Sequence, residues 1–167
     1  MKIPFFVQEF TDEMEEAVIH ALRNESFVGG ESVSKFEEEF ARYTGTKYAA
    51  SVSSGNGALQ ISLMALGIGE LGFRKLDKVI TPTNSFIASA NCIRMANAKP
   101  ILTDIDMNDG SIDLSNSKKN VNAIIPVHIY GNPCDFDSVK SFAEDQKIPI
   151  IEDACQAHGA EYKGKKV

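Results

Sequence analysis

The sequence predicts an α/β fold in which a mostly parallel sheet is flanked by helices. Three observations predict it. From Tyr48 onward, short apolar runs alternate with helical patterns, and strands separated by helices pair in parallel through right-handed crossovers. One run, Ile148-Pro149-Ile150-Ile151, is apolar without alternation, as expected of a strand buried on both faces. That run ends abruptly in Glu152-Asp153-Ala154-Cys155-Gln156-Ala157-His158, and ligands of open α/β sheets gather at the carboxyl ends of such strands.

The bulk composition narrows the class. A chain of 167 residues with 43% hydrophobic and 24% charged residues suits an ordinary globular fold with a real core. The net charge of -6 argues against a nucleic-acid surface, which needs a basic stripe. Cys92, Cys134 and Cys155 are widely spaced, with no CxxC and no zinc-type Cys/His cluster, so they read as free thiols in a reducing compartment. Met1-Lys2-Ile3-Pro4-Phe5-Phe6-Val7 runs straight into acidic residues, too short for a secretory core. No apolar run approaches the length of a membrane span. The expectation is a cytoplasmic protein with neither a membrane nor a nucleic-acid partner.

Residues 1–47 read as an N-terminal arm and two helices, and 48–167 as the sheet-bearing part. Met1 to Gln8 is an apolar arm without helical period. Thr11 is placed to cap a helix whose first turn holds Asp12 and Glu13. Met14, Ala17, Val18, Ala21 and Leu22 form one apolar stripe. A second helix is expected from Ser34, because Ser34-Lys35-Phe36-Glu37 has capping-box spacing. Val33, Phe36, Phe40 and Tyr43 form its expected buried face, Glu37, Glu38, Glu39 and Arg42 its solvated face, and Gly45 its stop.

Tyr48 to Ser53 then reads as a strand, Ser53-Ser54-Gly55-Asn56-Gly57 as a tight turn, and Ala58 to Leu66 as a helix apolar enough to be buried all round. Gly67 to Lys78 reads as a loop. The remaining strands are expected at Lys78–Pro82, Pro100–Ile105, Asn122–Tyr130 and Ile148–Asp153. Helices are expected from Phe86 to Met95, capped by Asn84 or Ser85, over Asp113–Ser117 as a short turn, and after Asp135 or Asp137 with Phe136, Val139, Phe142 and Ala143 inward. Glu161 to Val167 reads as a solvated basic tail.

Several residues are placed for chemistry. The Ser53–Gly57 turn lies between a strand and a helix, where free N–H groups and the helix dipole attract an anion. It matches neither GxxxxGK[ST] nor GxGxxG, and a plain strand-to-helix turn has the same appearance. Phe86 follows a strand end and is either a stacking wall for a flat ligand or a core residue. Asp153 is costly to bury alone. It is a partner for a protonated ring nitrogen, a helix cap or half of a salt bridge. Glu152 alternates to the other face. Gln156 is near enough to Asp153 to reach the same ring. His128 and His158 follow strands as potential proton carriers, while His20 lies apart on a helix. Asp104 and Asp106 resemble a carboxylate pair without nearby metal-ligand partners.

Taken in order and spacing, these stretches resemble the DegT/StrS-type sugar-nucleotide aminotransferases, pyridoxal-phosphate enzymes of the aspartate-aminotransferase fold (fold type I). The matching residues are Phe36-Glu37, Ser53-Ser54-Gly55-Asn56-Gly57-Ala58-Leu59, Pro82-Thr83-Asn84-Ser85-Phe86-Ile87-Ala88, Ala98-Lys99-Pro100 with Asp104-Ile105-Asp106, Ile125-Pro126-Val127-His128-Ile129-Tyr130-Gly131 and Ile151-Glu152-Asp153-Ala154-Cys155-Gln156-Ala157-His158-Gly159. The resemblance implies that N–H groups of Gly55, Asn56 and Gly57 hold the cofactor phosphate. It implies that Phe86 stacks on the pyridine ring, Asp153 pairs with its nitrogen and Gln156 approaches its ring oxygen. Asn56 and Gly57 stand where the family usually has Thr and Ala, and Asn84 where it has an aromatic.

The resemblance further implies a homodimer, glutamate and a keto-sugar nucleotide as substrates, and a place in amino-sugar or surface-polysaccharide synthesis. In a dehydratase variant of the family, a histidine replaces the Schiff-base lysine. That lysine is expected after a further strand beyond Val167, and Lys163, Lys165 and Lys166 do not match it. By this reading the chain is the first part of the large domain, inactive alone. The Tyr48–Ser53 strand would lack its usual neighbours, and open sheet edges favour self-association. A non-catalytic fragment or assembly module and a Rossmann-type nucleotide domain are the alternatives, the latter disfavoured by the missing GxGxxG.

Overall fold

The computed structural model describes residues 7–69, 76–117 and 120–167. Two compact units divide the chain, Met1–Ser51 and Val52–Val167. The expected arm falls largely on residues 1–6, and half of the Gly67–Lys78 loop on residues 70–75; both lie outside the described residues.

In the first unit, helix α1 spans Asp12–Asn24, and Thr11 caps it by accepting the Met14 N–H. Its apolar stripe is uncovered: Met14, Val18 and Leu22 are each at least half exposed. Helix α2 spans Glu31–Thr44 and starts three residues earlier than the capping-box pattern predicts. The reason is an acceptor that local pattern does not show. The Glu25 carboxylate takes the Ser32 N–H and hydroxyl at 2.8 and 2.6 Å, so the first turn is satisfied without Ser34. The expected buried face is also wrong, since Ala41 is the α2 residue that is buried while Val33, Phe36 and Tyr43 are exposed. Gly45 ends α2 in the left-handed region, as predicted. Glu37 is not merely solvated: one of its oxygens accepts both the N–H and the hydroxyl of Ser51, at 2.7 and 2.8 Å. Residues 48–53 form no strand ladder among the described residues. A strand exists only where a neighbour accepts and donates along its length, and no described strand pairs with this segment.

In the second unit, helix α3 spans Gly55–Ala65, with Ser54 as its cap. Leu59 and Leu63 are buried, whereas Ile61 and Met64 are more than half exposed. The helix is therefore covered on one face and not all round. Strand β1 (Lys78–Pro82) leads to helix α4 (Ala88–Met95), which begins after Ile87; neither Asn84 nor Ser85 caps it. Strand β2 (Lys99–Thr103) and strand β3 (Ala123–Ile124) flank β1 in parallel, in the order β2-β1-β3.

Residues 148–153 extend that sheet beyond β3 through parallel bridges Ile124↔Ile150 and Val127↔Asp153. Hydrogen bonds from Ile151 N–H to Ile124 C=O and from Asp153 N–H to Pro126 C=O, both 3.0 Å, fix the register. Leu59, Leu63, Val79, Ile93, Ile125 and Ile151 pack on the α3–α4 face. Ile80, Ile124, Val139 and Ala143 pack on the other face, under helix α5 (Phe136–Gln146).

Other expectations give way to local geometry. Residues 113–117 turn without forming a helix, because Asp113 accepts the Ser115 N–H and closes a tight loop. The strand expected through Tyr130 ends early in a 3-10 turn at Ile129–Gly131. Asp135 caps α5. The basic tail is a hairpin: strands β4 (Glu161–Tyr162) and β5 (Lys165–Lys166) close around Lys163 and Gly164, both at positive φ. Lys163 pairs with Asp137, and the Tyr162 hydroxyl donates to Asp135 at 3.1 Å.

Candidate functional site

The carboxyl ends of β1, of the segment after β3 and of residues 148–153 open onto a cavity of about 260 Å3. Its walls include Gly55, Asn56, Phe86, Asp153 and Gln156, together with Ser54, Ser89, Val127 and Cys155. Five of the six predicted cofactor residues therefore meet in one place. The sixth, Gly57, lies one residue deeper in α3, and its N–H donates to the Ser54 hydroxyl at 3.1 Å.

Asp153 is the buried charge of this cavity, 5% exposed. Its Oδ2 accepts the Ser89 hydroxyl at 2.7 Å and its Oδ1 accepts the Cys155 N–H at 3.2 Å. A carboxylate offers about four acceptor positions, so two remain for a ligand. Among the described residues no lysine or arginine forms an ion pair with it. The carboxylate leaves its mark on two thiols. Burial, then the Asp153 charge, pushes Cys92 up to about 12. Burial, then a hydrogen bond to Asp153 and its charge, pushes Cys155 up to about 11.

Gln156 is oriented by the backbone. Its Oε1 accepts the Tyr130 N–H at 3.0 Å, which leaves its amide N–H groups as donors. Tyr130 holds φ at 57°, the left-handed region, to present that N–H. Phe86 is 69% exposed on the cavity wall, so it is not a core residue. The amino end of α3 faces the cavity through Ser54, Gly55 and Asn56, bringing the positive end of the helix dipole with it. The Asn56 amide donates to the Met95 sulfur at 3.3 Å, and its Oδ1 is buried without a partner among the described residues.

The remaining candidates lie elsewhere. His128 is fully buried on the opposite face. Its Nδ1 accepts the Cys134 N–H at 3.1 Å, so the ring proton sits on Nε2 and is donated to Glu152 at 3.2 Å. This histidine is tied at both nitrogens. His158 is exposed and absent from the cavity lining, and His20 is on α1. Asp104 accepts the Ile105 N–H, and Asp106 accepts both the N–H and the side-chain amide of Asn108, so both acids close their own loop. Ser89 was missed by sequence reasoning, and Ser54 was read only as part of the turn. Ser54 carried the ordinary signal of a serine before a helix. Ser89 carried none, because its partner is 64 residues away.

Comparisons place this geometry among known proteins. Residues 8–167 match the model of the DegT/DnrJ/EryC1/StrS aminotransferase family. The chain is 37% identical over 159 residues to the UDP-2-acetamido-2-deoxy-3-oxo-D-glucuronate aminotransferase of Pseudomonas aeruginosa, covering 93% of this chain and 43% of that protein. It superposes on the aminotransferase from Psychrobacter cryohalolentis with a TM-score of 0.88 and 34% identity, over 98% of this chain and 42% of the other. It also superposes on GDP-4-keto-6-deoxymannose-3-dehydratase, solved with a trapped PLP-glutamate geminal diamine, with a TM-score of 0.86 and 28% identity, over 99% of this chain and 44% of the other. The fold is thus part of the pyridoxal-phosphate transferase fold. The chain spans about two-fifths of the length of the curated relatives it matches.

Proposed function

The chain belongs to the DegT/DnrJ/EryC1/StrS aminotransferase family, and on that footing we propose that the whole protein is a pyridoxal-phosphate-dependent aminotransferase. It transfers an amino group from glutamate to a keto-sugar nucleotide, in the synthesis of amino sugars for a surface polysaccharide. We place it in the cytoplasm as a homodimer. The observation that carries this reading is Asp153, a buried carboxylate on the cavity wall with acceptor positions to spare and no cationic side chain paired with it among the described residues.

The residues present fit the cofactor. Asp153 suits a protonated ring nitrogen, and would keep the proton on that atom. The Gln156 amide is free to donate to a ring oxygen. Phe86 supplies an exposed aromatic face beside the cavity. The amino end of α3 offers dipole and N–H groups to a phosphate, with Gly55 and Asn56 on the wall and the Gly57 N–H already engaged by Ser54. Bound there, the cofactor supplies an electron sink for the carbon that bears the amino group. The amine that anchors it and moves the substrate proton is assigned to sequence beyond Val167. Lys163 is paired with Asp137 in the terminal hairpin, and Lys165 and Lys166 form β5.

The test is made in the whole protein, with glutamate and a keto-sugar nucleotide, by mass spectrometry of the product. Asp153→Asn should lower amino-sugar formation about a hundredfold or more, the scale of one preorganised electrostatic contact, while the melting profile stays intact. Full activity in that variant would sink the assignment. The similarity to a dehydratase supports a second reading, in which the same pocket serves dehydration; a deoxy-keto product instead of an amino sugar would establish it. For the 167-residue chain alone, borohydride should leave no stoichiometric covalent cofactor, and a stable adduct on one lysine would overturn the placement of the amine.

A further inference from the structure

We propose that Ser89 is the positioning residue for Asp153, holding its carboxylate aimed at the cofactor's ring nitrogen. The inference rests on the cofactor reading above.

Ser89 lies in the first turn of α4 and is fully buried. A helical serine commonly returns its hydroxyl to the carbonyl a turn earlier. This one reaches across to Asp153 Oδ2 at 2.7 Å, between residues 64 apart in sequence. The Ser89 carbonyl in turn accepts the Cys92 thiol at 3.3 Å, and its N–H donates to Phe86 C=O at 3.1 Å. The serine is therefore held by its own backbone, next to the residue proposed to stack on the ring.

The direction of the bonds matters. The Cys155 N–H on Oδ1 can only donate. With Asp153 ionised, the Ser89 hydroxyl on Oδ2 must donate as well. Two donors on two oxygens occupy one acceptor position of each. They also resist rotation of the carboxylate, because turning it breaks both bonds. Both donors are neutral. A lysine or arginine in either place would cancel the charge that a ring nitrogen needs in order to keep its proton. Hydroxyl and amide donors steady the anion and leave it uncompensated until the cationic ring arrives.

The experiment loads the whole protein with 15N-labelled pyridoxal phosphate and reads the ring-nitrogen resonance, which separates protonated from unprotonated nitrogen, beside affinity by fluorescence titration. Ser89→Ala should move the resonance toward the unprotonated position and weaken binding about tenfold, as loss of a hydrogen bond to a buried charge does. Ser89→Thr, which keeps the hydroxyl, should retain the wild-type resonance. A Ser89→Ala chain with the wild-type resonance and affinity overturns the proposal. So does a Ser89→Thr chain that behaves like Ser89→Ala, since packing would then explain both. Should Ser89→Ala fail to fold, Ser89→Cys, a weaker donor of similar size, must show the same displacement in smaller measure, or the proposal falls. A wild-type whole protein whose label stays at the free-cofactor position refutes the cofactor reading itself, and this inference with it.

Discussion

Cys155 Sγ fills the space that a Cβ on Gly55 would need, 2.5 Å from that position. Glycine at the first residue of α3 is thus demanded by a close approach between two walls of the cavity, not by an unusual backbone angle. Gly55→Ala should cost about 1 kcal/mol, the low end for overpacking, because the obstacle is the end of one short side chain. Cys155→Ala should remove most of that cost in the double variant. Urea melts of the four chains give the coupling; additive effects would show that Cys155 simply turns aside.

Tyr130 is strained for a purpose that its side chain does not serve. Its φ of 57° puts a bulky residue in the left-handed region, while the ring is 77% exposed. The backbone N–H is what reaches Gln156. Tyr130→Gly relieves the steric cost but raises the entropy of the unfolded chain, which offsets part of the relief, so a net gain on the order of 0.5 kcal/mol is expected, with the Gln156 contact kept. A clear loss of stability in denaturant melts would mean that the ring packs usefully.

Alkali should unfold this protein through its thiols. Burial pushes Cys92 and Cys134 up to about 12, with the Asp153 charge adding to the first and those of Glu152 and Asp135 to the second. Unfolded cysteine titrates near 8.5, so above that pH the unfolded chain releases protons that the native chain keeps. Their contribution is whole below about 8.5 and falls as pH rises toward 12, with a slope of up to about 1.4 kcal/mol per unit for each thiol. Cys92→Ala should flatten the alkaline limb by one thiol's share in a pH series of urea melts. A limb of unchanged slope would rule the thiol out.

Cys155 makes a separate forecast. Its thiol is exposed but raised to about 11. At pH 8 iodoacetamide should alkylate it on the order of a hundredfold more slowly than an ordinary free thiol, following the thiolate fraction. Asp153→Asn should speed the reaction. Peptide mass spectrometry reads both rates, and equal rates in the two chains would contradict the coupling to Asp153.

The uncovered stripe of α1 predicts association. Met14, Val18 and Leu22 share one face with exposures of 50, 55 and 59%, and apolar patches of that kind mark contact surfaces. Sedimentation should show reversible self-association that Val18→Glu with Leu22→Glu abolishes. A wild-type chain that sediments as a monomer at high concentration would refute it.

What the sequence made legible follows from how far each signal reaches. Thr11 and Gly45 were readable as helix ends, and Asp135 as one of two choices with Asp137, because a cap and its partner lie within a turn of each other. The start of α2 was not, since Glu25 satisfies it from seven residues upstream of Ser32. Tyr48–Ser53 has strand composition, yet pairing needs a neighbour and not a propensity. The exposed side of α3 looked buried because apolar content does not say which elements arrive to cover it. At the site, Gly55, Asn56, Phe86, Asp153 and Gln156 were placed by motif order, and the structure sets them around one cavity. Ser89 escaped because only the tertiary fold brings it to Asp153.

Glu152 and Asp153 point to opposite faces of one strand, the first bonded to His128 and the second to Ser89. The two bonds act as a parity check on the sheet. Sliding residues 148–153 by one position against their neighbour would exchange the faces. Glu152, one methylene longer, would enter the cavity, and Asp153 would be left beneath an imidazole too far to reach. Both hydrogen bonds would be lost at a stroke, so a misaligned sheet would be penalised on both sides of the strand. The acid that faces the ligand is selected during folding as much as by the ligand.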